Sequence, residues 1–339
     1  MQNPVRFGVL GAAGIAKAAV VPAIKRARNA EVVAIASRHP GAATDWAREA
    51  GIERVVGSYD ELLADPNVEA VYIPLPNSEH AHWTVAAARA GKAILCEKPL
   101  AMSASVAETV ARTCADHKVL LMEGFMYRFH PQHERVREII ASGEIGDIVE
   151  VHAHLSVDLM SPVDPTNVRF DKRLGGGALL DMGCYVVHIA RSVLAEEPLS
   201  VLGRRTIDDR YGVDVAAAAI LEFSADRIAM ISCSFQGNAQ GFYRIVGRRG
   251  QIEVPRGIIP GLGSRLSETL LIVADENGRR REEQLPAVDQ YQLMIEAFAN
   301  AVRGDPSAIP LIEDSVNNMR ALDAFARSAS SAIPSTVEC

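Results

Sequence analysis

Near its start the 339-residue chain reads Val5-Arg6-Phe7-Gly8-Val9-Leu10-Gly11-Ala12-Ala13-Gly14-Ile15-Ala16. Residues 5–10 form a short apolar run, which is typical of a strand buried on both faces of a parallel sheet. Residues 15–28 have the spacing of a helix, and only small residues separate the two patterns. A strand, a turn of small residues and a helix in this order predict the first unit of a sheet that binds a nucleotide.

The turn departs at one position from the dinucleotide fingerprint G-x-G-x-x-G/A. Gly11 occupies the first glycine position, Ala13 replaces the second glycine, and Ala16 fills the third position. Small residues still let the backbone approach a pyrophosphate, and a new helix offers free N–H groups to the anion. Packing alone is the alternative explanation for small residues here. We expect these residues to bind the cofactor: Gly11, Ala13, Gly14 and Ile15.

The first third of the chain repeats the alternation of strand and helix. Strand patterns occur at residues 5–10, 32–36, 70–74, 93–96 and 119–123, with helix patterns at 15–28, 42–50, 59–64, 78–90 and 103–118. Short apolar runs between helices indicate a parallel sheet covered on both faces. We therefore predict an α/β protein whose residues 1–124 form a Rossmann domain with a doubly wound parallel sheet.

Beyond residue 125 the pattern changes to longer runs of strands. Strand patterns occur at residues 148–159, 215–223, 227–235, 241–247, 250–254 and 268–274, with helix patterns at 131–142, 179–194, 290–303 and 314–331. Turn residues separate successive strands, as in antiparallel sheets. We predict that residues 125–339 form an α/β domain with a large open, mostly antiparallel sheet, for substrate binding and oligomerisation. Packing of the last helix back on the N-terminal domain is left open.

Charge and cysteine content narrow the class of protein. The net charge of −7 disfavours a nucleic acid or an anionic membrane as partner. The five cysteines are scattered without a CxxC pair, which disfavours disulfides and thiolate metal sites and fits a reducing cytoplasm. We find no secretory signal and no uninterrupted apolar stretch of transmembrane length. The expected location is cytoplasmic, and no metal is expected.

The end of the second strand bears on the choice of cofactor. An NAD site usually has an acidic residue there, which accepts a hydrogen bond from the ribose 2′-OH. This chain has Ser37 and Arg38 instead, a hydroxyl and a guanidinium suited to a 2′-phosphate. A solvated arginine at a strand end is the alternative. We predict a preference for NADP(H), with NAD(H) as the second choice.

The third strand runs into Pro74-Leu75-Pro76-Asn77-Ser78-Glu79-His80. Ligands of parallel sheets bind at the carboxyl ends of the strands. We therefore expect Pro74, Pro76, Asn77 and His80 to contact the cofactor. Capping of the next helix by Asn77 or Ser78 is an equally weighted explanation.

Two further segments carry groups suited to proton transfer: Glu97-Lys98-Pro99 after the fourth strand, and the residues 175–185, Gly-Gly-Gly-Ala-Leu-Leu-Asp-Met-Gly-Cys-Tyr. Asp181 and Tyr185 are four residues apart and share one helix face. A free tyrosine has a pKa of about 10 and is a poor base, whereas a nearby ammonium such as that of Lys98 favours the phenolate. A core tyrosine, a helix-start carboxylate and a surface lysine are the alternative readings.

These motifs, in this order, resemble the glucose–fructose oxidoreductase/inositol dehydrogenase/MocA family over nearly the whole chain. The resemblance implies a Rossmann domain, a second domain with an open sheet, and NAD(P)-dependent oxidation or reduction of a sugar, cyclitol or related diol. It maps the family's lysine onto Lys98 and its aspartate onto Asp181. Many members have histidine where this chain has Tyr185. The Asp-x-Gly-x-Tyr variant is similar to xylose and dihydrodiol dehydrogenases, in which the tyrosine transfers the proton.

Several softer candidates surround these groups. Glu97, at the end of the fourth strand, is predicted to touch the nicotinamide ribose. Substrate-binding candidates are Arg128 and His130 after the fifth strand, Asn167 and Arg169 before the three glycines, and His188, one turn beyond Tyr185. Loop anchoring and helix capping are alternatives for most of them.

We predict an NADP(H)-dependent oxidoreductase of a sugar or polyol, in which Tyr185 is the acid/base, Lys98 tunes it and Asp181 orients the substrate. Lys98 as the acid/base remains open. The alternatives are a dihydrodiol or keto-sugar oxidoreductase of the same family, or a regulator that binds NADP without turnover. An uncovered apolar face of the C-terminal sheet would favour a homodimer or homotetramer.

Overall fold

A computed structural model of the chain describes residues 3–38, 40–260 and 269–338. The chain divides into two compact units. The first unit consists of Met1–Phe129 and Asp289–Val316, and the second of His130–Val288 and Asn317–Cys339.

The described strands are, in chain order, β1 Val5–Leu10, β2 Ala30–Ala36, β3 Val55–Val56, β4 Ala70–Ile73, β5 Ala93–Cys96, β6 Leu121–Glu123, β7 Ile148–Ser156, β8 Ser200–Ile207, β9 Asp214–Glu222, β10 Ile228–Ser234, β11 Gln240–Gly247, β12 Gly250–Val254, β13 Thr269–Asp275, β14 Arg280–Leu285 and β15 Ser335–Thr336. The α-helices are α1 Val21–Arg26, α2 Pro40–Ala50, α3 Tyr59–Ala64, α4 Asn77–Arg89, α5 Ala104–Asp116, α6 Pro131–Ala141, α7 Cys184–Leu194, α8 Gln290–Val302 and α9 Ile312–Ser331. The predicted start of one strand at Glu268 lies outside the described residues.

The first unit is built on a parallel sheet of six strands in the order β3-β2-β1-β4-β5-β6. Every residue of β4 and β5 is buried, as expected for strands with helices on both faces. The Phe298 ring of α8 lies 5.6 Å from the Phe7 ring of β1 and closes one side of the core. This strand order confirms the predicted doubly wound sheet and places the ends of β1, β2, β4 and β5 on one edge.

The second unit contains a nine-stranded sheet in the order β14-β13-β12-β11-β7-β10-β9-β8-β15. The β7–β10 pair is parallel and all other pairs are antiparallel, so the prediction of a mostly antiparallel sheet is confirmed. Burial alternates along β9 and β10, since one face packs on the core. On the other face Leu202 and Ile220, paired in register, are about 40% exposed.

One helical segment, Lys172–Leu194, is long and apolar enough by length and composition to cross a membrane. Of its most apolar window, 78% is buried inside the protein. The segment includes α7, in which Cys184 through Arg191 are all buried. This burial is the property of a core helix, and α7 packs against the strands β7 and β10 of its own unit.

Candidate active site

The turn after β1 is tight at its first glycine and open at Gly14. Gly11 has a φ of +107°, and its N–H donates to the Ala36 carbonyl of β2 at 2.7 Å. A Cβ at Gly11 would lie 2.9 Å from the Leu75 side chain, whereas one at Gly14 would meet no described atom within 4 Å. The space beside Gly14, just before the helical turn Ala16–Val20, is therefore open among the described residues. Cofactor contacts of Gly11, Ala13, Gly14 and Ile15 stay predictions.

Arg38, at the tip of β2, is held by a tyrosine that the sequence did not single out. The Arg38 side chain donates a hydrogen bond to the Tyr59 hydroxyl. Burial raises the pKa of Tyr59, and the Arg38 charge and hydrogen bond oppose that rise. Ser37 is buried, whereas Arg38 is exposed. Tyr59 was missed because its only signal in the sequence is the helix pattern that it begins.

The loop after β4 reaches the helix α4 through Pro74 and Pro76. The N-cap position of α4 is Pro76, so neither Asn77 nor Ser78 holds the capping position. Asn77 is the first residue of the helix, at the carboxyl edge of the sheet. Contacts of Pro74, Pro76 and Asn77 with the cofactor stay predictions.

His80 joins two loops of the first unit. Its ring is fully buried, with Nδ1 2.7 Å from the Pro99 carbonyl and Nε2 2.8 Å from the Leu75 carbonyl. Burial lowers the pKa of His80, the two carbonyl oxygens raise it, and the charge of Lys98 lowers it further. The observed role of His80 is therefore to tie the loop after β4 to the segment that carries Lys98, and a direct cofactor contact stays a prediction.

The end of β5 presents Glu97 and Lys98. Glu97 is 9% exposed, and its Oε1 accepts a hydrogen bond from the Tyr72 hydroxyl at 2.7 Å. Burial and the Glu97 carboxylate together raise the pKa of Tyr72 well above its usual range. Lys98 follows, half-buried, before a cis peptide bond to Pro99. Glu97 is therefore oriented from its own sheet, at the strand end where a nicotinamide is expected.

A second buried carboxyl lies on the neighbouring strand, and sequence reasoning missed it. Glu123, the last residue of β6, accepts a hydrogen bond at Oε1 from the Leu100 N–H at 2.8 Å. Burial raises the pKa of Glu123 to about 7. Its only sequence signal is an acidic residue at the end of an apolar run.

The candidates that follow β6 fall in different surroundings. Arg128 forms an ion pair with Asp314, and both side chains are about one-quarter exposed. Tyr127 is buried. His130 belongs to the second unit, where its Nδ1 accepts from the Gln132 N–H at 3.2 Å and so caps α6. Burial lowers the pKa of His130 to about 4.

In the run of glycines at residues 175–177, two positions have no room for a side chain. A Cβ at Gly176 would lie 2.4 Å from the Arg169 carbonyl, and one at Gly177 would lie 2.6 Å from Asp214 Oδ1. Gly177 also has a φ of +115°. Asp214 Oδ2 accepts from the Leu179 N–H at 2.6 Å, at the start of the helical segment. Burial raises the pKa of Asp214, which the sequence had not indicated as a site residue.

Asp181 and Tyr185 occupy successive turns of this helical segment, the π-helical turn Leu179–Gly183 and α7. Arg169 Nε donates to Asp181 Oδ2 at 2.6 Å, with 42% of the arginine side chain exposed and 14% of the aspartate. Tyr185 is 5% exposed. The structure thus brings together two of the predicted residues, Arg169 and Asp181, through an ion pair.

The remaining substrate candidates have local partners. Asn167 caps a short 3-10 turn by accepting from the Arg169 N–H at 3.1 Å. His188 is buried, and its Nδ1 lies 3.1 Å from the Ser192 hydroxyl. Substrate contacts of both residues stay predictions.

The described chemistry is that of proton transfer and anion binding. The first unit offers an amine at Lys98 and carboxyls at Glu97 and Glu123, and the second offers a phenol at Tyr185 beside the Arg169–Asp181 pair. In residues 3–38, 40–260 and 269–338 no cluster of three His, Cys, Asp or Glu side chains is arranged to hold a metal ion.

Comparison with known proteins gives consistent matches along the chain. Residues 5–125 match the model of an oxidoreductase family with an NAD-binding Rossmann fold, and residues 133–253 match the GFO/IDH/MocA C-terminal domain. The D-xylose 1-dehydrogenase (NADP+) 2 of Haloferax volcanii is 39% identical over 323 residues, covering 95% of this chain and 97% of that protein. The dTDP-3,4-didehydro-2,6-dideoxy-α-D-glucose 3-reductase of Saccharopolyspora spinosa is 36% identical over 304 residues, 89% of each.

A solved structure agrees with these matches. The 3-ketoreductase of Actinomadura kijaniata, in complex with NADP and TDP-benzene, superposes with a TM-score of 0.87 at 31% identity, covering 96% of this chain and 98% of that one. The chain therefore belongs to the glucose–fructose oxidoreductase/inositol dehydrogenase/MocA family and is an NAD(P)-dependent dehydrogenase or reductase that acts on CH–OH groups.

Proposed function

We propose that the protein is an NADP(H)-dependent oxidoreductase of an aldose or related polyhydroxy compound, with Tyr185 as the general acid/base. The observation that carries this proposal is the Asp181–Tyr185 pair on successive turns of one buried helical segment, in a family member that also retains Lys98. Loss of these groups would be expected of a regulator without turnover, so their retention favours the enzyme.

The proposed residues divide the chemistry of a carbinol. Bound NADP(H) supplies or accepts the hydride at its nicotinamide ring. In oxidation the reacting hydroxyl gives its proton to the Tyr185 phenolate, and in reduction the Tyr185 phenol returns it. The Lys98 ammonium favours the phenolate and holds the reacting oxygen. Lys98 as the acid/base is the variant of this mechanism that mutation has to separate.

Asp181 and Arg169 are proposed to orient the substrate. The Arg169–Asp181 ion pair fixes one carboxylate oxygen, and an ionised carboxylate has further lone pairs that accept hydrogen bonds from sugar hydroxyls. Arg169 is partly exposed and has further N–H donors for substrate oxygens. Asn167, Arg128, His130 and His188 remain proposed contacts.

Cofactor preference is proposed to reside at the tip of β2. Arg38 is exposed and is oriented by Tyr59, and no carboxylate follows the strand at residues 37 and 38. A guanidinium suits the dianionic 2′-phosphate of NADP, whereas the ribose 2′-OH of NAD usually pairs with an acidic residue. The xylose dehydrogenase from Haloferax volcanii is named for NADP+, in agreement with this assignment.

A keto-sugar nucleotide is the second candidate substrate. The relative from Saccharopolyspora spinosa reduces a dTDP-linked keto-sugar by its name, and it is nearly as similar as the xylose dehydrogenase. Association of the exposed sheet face around Leu202 and Ile220 into a homodimer or homotetramer is part of the proposal. A cytoplasmic location fits the buried thiols of cysteines 96, 114, 184 and 233, which are not joined in disulfides.

A substrate panel tests the proposal. Aldoses, cyclitols, diols and dTDP-keto-sugars are incubated with NADP+ or NADPH, and in parallel with NAD+ or NADH, and the reduced nicotinamide is followed by absorbance. We expect turnover with an aldose such as D-xylose and a higher kcat/KM with the phosphorylated cofactor. Binding of NADPH without turnover of any panel member would contradict the proposal and favour the regulator.

A further inference from the structure

Glu123 occupies an unusual position for an ionisable side chain. It ends β6 and pairs in register with Cys96, the residue that ends β5 directly before Glu97 and Lys98. The side chain is 6% exposed. A Cβ at the next residue, Gly124, would lie 3.2 Å from the Cys96 carbonyl, and the Gly124 N–H donates to that carbonyl at 2.7 Å. The two strand ends are therefore tightly joined at the start of the Lys98 segment.

Glu123 holds one side of a single peptide group. Its Oε1 accepts from the Leu100 N–H at 2.8 Å, while the carbonyl of the same peptide group, that of Pro99, lies 2.7 Å from His80 Nδ1. The plane of this peptide is thus held from β6 on one edge and from α4 on the other. Because the ring of Pro99 also fixes its φ, this clamp sets the direction in which the chain leaves Lys98.

The second oxygen of Glu123 lacks the close backbone hydrogen bond that the first oxygen accepts, and the nearby side-chain donor to the carboxyl is the Ser315 hydroxyl. Oε2 is buried and has no hydrogen-bond partner within the described part of the chain. The charged groups around the carboxyl are Asp314, whose charge raises its pKa, and Arg128, whose charge lowers it; the Ser315 hydroxyl and the Leu100 N–H also lower it. Glu97 is the other buried acid at these strand ends. An apolar residue would fill this place without the cost of a buried carboxyl, so a role for the acceptor is indicated.

We propose that Glu123 is a positioning residue that places Lys98 for proton transfer by fixing the Pro99–Leu100 peptide group. The inference rests on the proposed function only for its catalytic consequence. The clamp itself acts on the backbone and is measurable without a substrate. Glu123 touches neither the reacting atoms nor the cofactor in this role, and it acts through the segment Lys98–Leu100.

Two variants separate the acceptor from the charge. Glu123→Leu removes the acceptor, whereas Glu123→Gln keeps a carbonyl oxygen for the Leu100 N–H. Glu69→Leu is the control for general destabilisation, because Glu69 pairs with Arg303 in the same unit and its contacts do not involve this segment.

The first measurement is amide hydrogen exchange of Leu100 in the full-length enzyme with bound NADP+. We expect exchange at least 10-fold faster in Glu123→Leu, restored to within 3-fold of wild type in Glu123→Gln and unchanged in Glu69→Leu. Unchanged exchange in Glu123→Leu would overturn the proposal whether or not any substrate is turned over, so a wrong proposed function cannot hide this result.

The second measurement is kcat and KM with D-xylose and NADP+. We expect Glu123→Leu to lower kcat at least 10-fold with KM for NADP+ within 3-fold of wild type, and Glu123→Gln to restore most of kcat. Equal losses in both variants, or a loss shared with Glu69→Leu, would show a structural role only. If wild type itself does not oxidise D-xylose, that result counts against the proposed aldose substrate. The role of Glu123 in fixing the Pro99–Leu100 peptide group is then tested by the exchange measurement alone.

Discussion

Replacement of Glu123 by glutamine removes a carboxyl whose pKa is shifted in the folded protein. The pKa of the buried carboxyl is raised from 4.5 to about 7, chiefly by burial. A raised acid pKa means that the folded state prefers the protonated form. The contribution of the protonated Glu123 side chain to the free energy of unfolding is therefore complete below the unfolded pKa of about 4.5. This contribution is lost as the pH rises through about 7.

The size of the effect follows from this shift. The full change corresponds to about 3.4 kcal/mol, and about 2.5 kcal/mol of it falls between about pH 5 and pH 8.5. Glutamine does not titrate. Between about pH 5 and pH 8.5, the unfolding free energy of wild type should therefore fall by about 2.5 kcal/mol relative to that of Glu123→Gln. For a unit of roughly 150 residues this is a difference of about 5–10 °C in Tm.

The assay is thermal and urea unfolding of both proteins in a series of buffers from about pH 5 to about pH 8.5. Other titrating groups act equally in the two proteins and cancel in the difference. Two stability curves that run parallel within about 0.5 kcal/mol, the scatter common to such comparisons, would refute the assignment of a raised pKa to Glu123.

Substitutions at four further residues test the proposed site. Tyr185→Phe and Lys98→Met should each lower kcat about 100-fold or more, the scale of lost general acid–base catalysis; near-normal turnover in steady-state kinetics would remove that residue from the mechanism. Arg38→Asp should lower kcat/KM for NADP+ roughly 10- to 150-fold through loss of a charge-assisted hydrogen bond of about 1.5–3 kcal/mol, and an unchanged NADP+/NAD+ ratio would count against the assignment. Asp214→Ala should cost about 1–2 kcal/mol in urea unfolding by uncapping the Tyr185 helix, whereas Asp214→Asn should retain most of this stability; equal losses would contradict a capping role.

Local patterns in the sequence were sufficient for five of the six strands of the parallel sheet, with the two-residue strand β3 missed, and for part of the second sheet. The strand predicted at residues 5–10 and the one at residues 93–96 are found at those bounds, because each is a continuous apolar run. β14 was not predicted, since its sequence Arg-Arg-Glu-Glu-Gln-Leu lacks an apolar alternation and the strand lies at the sheet edge. The parallel β7–β10 pair was also beyond prediction, because it joins strands far apart in the sequence.

The residues that support the site could not be predicted from the sequence, because their partners are also far away along the chain. Tyr59, Glu123 and Asp214 act on segments 21 or more residues away and carry no motif of their own. Sequence patterns show which residue types can do the chemistry, such as Lys98 and Tyr185. Sequence patterns do not show which backbone N–H groups near Lys98 and Tyr185 need a partner from outside their own segment. The side chains that accept from these N–H groups lie on other strands.

Both units use a buried carboxyl from another element as the acceptor for a backbone N–H near a proposed acid–base residue. Near each proposed acid–base residue, a backbone N–H donates to a buried carboxyl. The Leu100 N–H, two residues after Lys98, donates to Glu123, and the Leu179 N–H, six residues before Tyr185, donates to Asp214. A buried carboxyl is a costly acceptor, and burial raises the pKa of both. Its advantage is that the side chain reaches from another element to a backbone N–H that its own segment leaves unpaired. The amide variants Glu123→Gln and Asp214→Asn keep an oxygen for this N–H, so the adjoining segment should keep most of its protection from hydrogen exchange. Glu123→Leu and Asp214→Ala remove the acceptor and should loosen that segment more than a mutation elsewhere of equal cost in stability.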